Sequence, residues 1–99
     1  MGRKHDEVAK RLAQREGTDY NKGQGADIKG KRRIVEVETG GTVADAARQL
    51  AGYNKPVYVA GTDAKATAKA LEKYKGTTIG VMNPQGKIVK PSTRKRKPK

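Results

Sequence analysis

Apolar residues recur along this chain in two rhythms, one near 3.6 residues and one of two. Val8, Ala9, Leu12 and Ala13 share one face of a helical repeat, which predicts a helix over residues 6–16. Asp6 and Glu7 suit the positive end of its dipole, and Gly17 supplies a stop. Residues 18–25, "TDYNKGQG", read as turn or loop. "ADIKG" (26–30) is a short strand, tied through Gly30 and Lys31 to "RRIVEVET" (32–39), where β-branched Ile34, Val35 and Val37 give the strongest strand pattern. Thr42 opens a second helical pattern over 42–53, with Val43, Ala46, Ala47, Leu50 and Ala51 in register and Thr42 and Asp45 placed as in a capping box. A strand over 56–61, a helix over 63–75, a strand over 77–83, a turn at 84–86 and a hairpin partner over 87–90 complete the pattern. The order α β β α β α β β predicts a mixed α/β sheet with helices on both faces. Residues 1–91 form the single expected domain, and the basic stretch 92–99 is expected to be a disordered tail.

Composition changes that picture in three ways. The chain has 99 residues, enough for one modest core, and with no Phe or Trp the core must come from aliphatic residues and four tyrosines. Cysteine is absent, which excludes disulfides and thiolate metal sites. No apolar run nears the 18 or so residues of a membrane span, and the first residues lack a secretory apolar region, so a soluble, cytoplasmic protein is expected. Lys and Arg number 23 against 10 Asp and Glu, a formal net charge of +13. Such an excess points to a polyanionic partner, nucleic acid before anionic lipid, because no helix opposes a broad apolar face to a basic one.

Against that basic background, Asp27, Glu36 and Glu38 stand close together. Residues two apart on a strand face the same side, so Glu36 and Glu38 project together, with Val35 and Val37 on the other face. Asp27 precedes a strand able to pair with theirs. A convergent set of carboxylates suits Mg²⁺ or Mn²⁺, which bind through oxygen and share substrate phosphates. The same alternation also describes an ordinary solvated strand face, with Lys31, Arg32 and Arg33 as its ion partners.

The run from Gly25 through Asp27, followed by Ile34-Val-Glu36-Val-Glu38-Thr39-Gly40, resembles the PD-(D/E)XK nuclease superfamily, similar to Holliday-junction resolvase and RecB-type cores. The resemblance spans about residues 6–90 and implies a restriction endonuclease-like fold, an αβββαβ core with a preceding helix. It implies that Asp27 and Glu36 hold the metal, with Glu7 as the further acid of the first helix. Gln49 and Tyr53, at Q-x-x-x-Y spacing, resemble the motif after the catalytic strand in RecB-type nucleases. Where most members carry Lys, this chain has Glu38, which the resemblance casts as a metal ligand or as a base to water, with Lys29 or Lys22 as another source of positive charge.

The function implied is a small Mg²⁺-dependent nuclease acting on DNA rather than RNA. Lys22, Lys29, Lys31 and Arg32, with Arg94, Lys95, Arg96 and Lys97 of the tail, are expected to contact phosphates. A chain this short offers little surface for sequence reading, so structure-selective or nonspecific cutting is expected, with a homodimer as one way to enlarge that surface. The alternatives are a binding protein without catalysis and a basic ribosome-associated or architectural protein. His5, the single histidine, is expected to be solvated.

Overall fold

The computed structural model describes residues 3–21 and 26–94. Its elements are α1 (Arg3–Arg15), β1 (Ile28–Lys29), β2 (Ile34–Glu38), a 3₁₀ turn (Val43–Asp45), α2 (Ala46–Leu50), β3 (Val57–Gly61), α3 (Ala64–Lys73), β4 (Gly80–Met82) and β5 (Ile88–Lys90). The element order is the one the hydrophobic pattern predicts. The strands lie side by side in chain order, with β1–β2 and β4–β5 antiparallel and β2–β3 and β3–β4 parallel. The result is a small α/β protein with a five-stranded mixed sheet. The αβββαβ order implied by resemblance has three strands before its central helix, whereas two precede α2 among the described residues.

Each parallel link needs a crossover, and α2 and α3 supply them on one face of the sheet. Ile34, Val57, Val59 and Val81 pack there against Ala46, Leu50, Ala66, Ala70 and Tyr74. The opposite face is covered by α1, whose Val8, Ala9, Leu12 and Ala13 pack against Ile28, Val35, Val37, Ala60 and Met82. Burial of both faces explains the continuous apolar run of β3 and the burial of every residue of β2, its two glutamates included, which a one-sided sheet would not require. Gly80 lets β5 and the following chain approach closely: a Cβ there would stand 2.5 Å from Cε2 of Tyr58 and 2.6 Å from the Lys90 carbonyl oxygen.

Two sequence expectations need correction. The helix expected over 42–53 starts as a 3₁₀ turn and stops at Leu50, because Ala51 is extended (ψ 143°) and Gly52 turns left-handed at φ +85°. Thr42 makes no side-chain cap. Instead the hydroxyl of Tyr74, the residue after α3, donates to the Val43 carbonyl (2.6 Å) and accepts from the Ala47 N–H (3.2 Å), which fixes this segment from outside. The tail expected to be disordered from residue 92 is tied down over its first three residues. Ser92 Oγ accepts from Val57 N–H (3.1 Å) and donates to the Thr78 carbonyl (2.8 Å). Arg94 donates to the Leu50 carbonyl at 2.7 Å, closing the end of α2. Lys95, Arg96 and Lys97 lie outside the described residues.

The Tyr74 latch can be tested directly. Tyr74→Phe leaves a buried carbonyl and an N–H without their partner, at a cost of about 1–3 kcal/mol. For a domain of this size each kcal/mol corresponds to roughly 4–8 °C. Thermal unfolding followed by circular dichroism should therefore show a clearly lowered midpoint, and an unchanged one would mean that the hydroxyl does not hold the turn.

Candidate functional site

Extending the β1–β2 register by one step from the Ile28–Val35 pair places Asp27 opposite Glu36. There side chains take over from the main-chain ladder. The Asp27 N–H donates to Glu36 Oε1 at 3.0 Å, and the Val37 N–H donates to Asp27 Oδ2 at 2.9 Å. Glu38 lies one turn of the pleat further on the same side and accepts from the Thr42 hydroxyl at 2.7 Å. That hydroxyl also accepts the Thr39 N–H at 3.0 Å, so the Thr39–Thr42 loop is folded back onto Glu38.

The surroundings are apolar. Glu36 and Glu38 are only 8 % and 4 % exposed, so the solvated-face alternative does not hold. Arg33, one of the cations expected to pair with them, pairs with Glu16 at 3.5 Å instead. Burial raises the Asp27 carboxyl, opposed by the Val37 N–H and by His5. Burial first, and then Asp27, pushes Glu36 up to about 8. Burial pushes Glu38 up to about 7 against the Thr42 hydroxyl, with Asp27 and Asp45 adding to the rise. At neutral pH the cluster therefore retains protons.

His5 completes this arrangement, contrary to the expectation of a solvated residue. It is 6 % exposed, with Nε2 at 3.3 Å from Asp27 Oδ2 and Nδ1 at 3.3 Å from the Tyr20 hydroxyl. Tyr20 in turn donates to Asp6 at 3.2 Å, and its own hydroxyl is pushed up to about 12 by burial and by Asp27. The signal for His5 was present in the chain: residues 5, 8, 9, 12 and 13 stand at i, i+3, i+4, i+7 and i+8, so the helical stripe that buries Val8 and Leu12 includes it.

Other expected site residues divide between near and far. The Tyr53 hydroxyl accepts from the Ala26 N–H at 3.3 Å, beside Asp27, but Tyr53 lies beyond the end of α2. It therefore does not share a helix face with Gln49, which is half-buried on α2 and joined to the acids by no hydrogen bond among the described residues. Glu7 is exposed and lines a separate groove of about 670 Å³ with Arg11, Asp63 and Asn83, away from Asp27. Lys29, Lys31 and Arg32 are exposed, whereas Arg94 is half-buried and committed to the α2 terminus. Lys22 lies outside the described residues.

In donor type, the carboxylates and the imidazole suit a divalent cation. In placement they do not: among the described residues no three His, Cys, Asp or Glu side chains are set to hold one ion. The oxygens that would bind it already accept hydrogen bonds from Asp27, Val37 and Thr42. What the arrangement offers as it stands is a set of buried proton donors and acceptors. No helix of the described residues is long and apolar enough to cross a membrane. No protein-family model matches this sequence, and no curated protein or solved structure is similar enough to match it.

The raised carboxyls fix the sign of a pH dependence. A carboxyl that binds its proton more tightly in the folded than in the unfolded chain stabilises the fold at low pH, and that contribution is lost as pH rises through the folded value. For Glu36 the window runs from about 4.5 to about 8. The melting temperature should fall across it, by about 5 °C or more. Glu36→Gln should flatten the profile and be the more stable protein at its alkaline end. Parallel wild-type and variant profiles would remove Glu36 as the titrating group.

Proposed function

We propose that this chain binds DNA and hydrolyses its phosphodiester bonds at the His5–Asp27–Glu36–Glu38 cluster, as a nuclease related to the PD-(D/E)XK type. One observation carries the reading: buried Glu36 and Glu38 on β2, half-buried Asp27 beside them and buried His5 of α1 are gathered where neighbouring sheet positions are Ile34, Val57 and Val59. Apolar residues of similar volume would hold these strands together without desolvating charge. Perturbed, buried and mutually bonded ionisable groups are characteristic of reaction centres. The net charge of +13 supplies the attraction to a polyanion that such a centre would otherwise repel.

The roles follow from proton affinity. Glu36, raised to about 8, keeps its proton at neutral pH and is suited to donate it to the leaving oxygen of a phosphodiester. Glu38, near 7, is partly ionised and suited to take a proton from the attacking water. Asp27 and His5 position Glu36, and Asp27, whose side chain is 15 % exposed, is the member closest to solvent among the three acids. Because the four groups do not fit one cation as placed, no step is assigned to Mg²⁺ or Mn²⁺. A second reading, DNA binding without cleavage, is favoured by the internal hydrogen bonds that already engage these carboxylates.

Supercoiled plasmid, branched duplex and single-stranded DNA, incubated with Mg²⁺, with Mn²⁺ or with EDTA, separate the readings. Cleavage by the wild type should fall about 10²–10⁴-fold in Asp27→Asn and Glu36→Gln, whereas Glu7→Gln should stay within about twofold. Cutting in EDTA would identify a metal-free acid–base centre, and cutting only with a cation would mean that the ion reorganises the carboxylates. Binding without cutting under every condition would leave the second reading in place.

A further inference from the structure

The end of the sheet opposite Glu38 carries the inverse charge. Gly30 and Arg33 close the β1–β2 turn through a Gly30 N–H to Arg33 carbonyl bond of 3.0 Å, and Lys55 Nζ holds the Gly30 carbonyl at 3.0 Å. The turn sits directly on the end of α1: a Cβ on Gly30 would stand 3.0 Å from the Arg33 carbonyl oxygen and 3.2 Å from Glu16 Oε1. Lys31 and Arg32 are thereby presented at its corner, facing Arg15 from the last turn of α1. Together with Glu16, Gly17 and Arg33 they line a cleft of about 320 Å³.

Four cations thus face one carboxylate. Glu16 is engaged by Arg33, whose guanidinium also lies 5.8 Å from the centroid of the Tyr58 ring. Arg33 is consequently fixed as the cleft floor, while Arg15, Lys31 and Arg32 are exposed around it. Rigid presentation by a tight turn and a helix end lowers the ordering cost of binding an anion, and arginine forks match phosphate geometry.

The cleft and the acid cluster lie at opposite ends of the β1–β2 pair. Arg33 immediately precedes β2 and stands three residues before Glu36, about 10 Å at roughly 3.3 Å per residue, so the two side chains leave opposite faces of the sheet beside the β1 edge. That spacing is about three base-pair steps of duplex DNA at 3.4 Å each. Along the edge between them lies β1, with Lys29 exposed. We propose that the Arg15–Lys31–Arg32–Arg33 cleft is a phosphate subsite that seats the DNA backbone a few nucleotides from Asp27 and Glu36, along the β1 edge. The inference rests on the DNA-binding part of the function proposed above and does not require cleavage.

Fluorescence anisotropy with a labelled DNA duplex, in EDTA between about 50 and 200 mM salt, tests it. The triple variant Arg15→Ala/Lys31→Ala/Arg32→Ala should bind about tenfold or more weakly. Its slope of log affinity against log salt should be shallower by about one for each phosphate that the cleft no longer neutralises. A charge-matched control, Lys65→Ala/Lys73→Ala/Lys75→Ala on exposed positions around α3, should stay within about threefold of the wild type. Equal weakening in both triples would mean that bulk charge alone binds DNA, and unchanged affinity in the cleft triple would remove the subsite. Single Lys31→Ala and Arg32→Ala variants, both at an exposed turn corner, carry the same test if the triple melts early. Failure of the wild type itself to bind DNA would overturn the proposed function, a result distinct from failure of the cleft alone.

Discussion

Everything at the candidate site depends on how β1 is held. That strand is two residues long, too short for its main-chain bonds to fix it firmly. Asp27 extends the pairing with side-chain chemistry, giving its N–H to Glu36 and taking the Val37 N–H on its own carboxylate. The constraint runs in both directions: the two acids lock the strand edge, and the locked edge keeps them buried against each other. Their retained protons are the electrostatic consequence, because ionising both in an apolar setting with one histidine nearby is unfavourable.

From that edge the molecule acquires polarity along a single strand pair. At one end stand the acids, His5 and the Thr39–Thr42 loop folded onto Glu38. At the other, the Gly30–Arg33 turn meets the end of α1 and gathers four cations. Helix α1 bridges the two, with His5 near its start and Arg15 at its last residue. A basic chain can therefore keep a carboxylate cluster without scattering the field that attracts a polyanion.

Tertiary contacts also explain where local signals were overridden. Thr42 and Asp45 have the spacing of a helix cap, yet Glu38 captures the Thr42 hydroxyl and Tyr74 pins the segment as a 3₁₀ turn. Gln49 and Tyr53 have the spacing of neighbours on a helix, yet Gly52 turns the chain between them and sends Tyr53 to Ala26. Ser92–Arg94 have no apolar content, yet they fill hydrogen bonds that the ends of β3 and α2 leave open. Tyr74, Ala26, Val57 and Leu50 each stand more than 25 residues from the group they hold, beyond the reach of a short window of sequence.

By itself the sequence determined the element order, the helical stripe of α1 and the shared face of Glu36 and Glu38, because these follow from periods of 3.6 and two that the chain carries locally. The same stripe held His5, although charge and position suggested solvent. Only the tertiary structure decided which helix covers which sheet face, that Glu36 and Glu38 are buried rather than solvated, and that Glu7 lies apart from them while His5 does not. Burial and proximity across elements are set by how α1 docks on β1 and β2, and docking is a property of the packed whole.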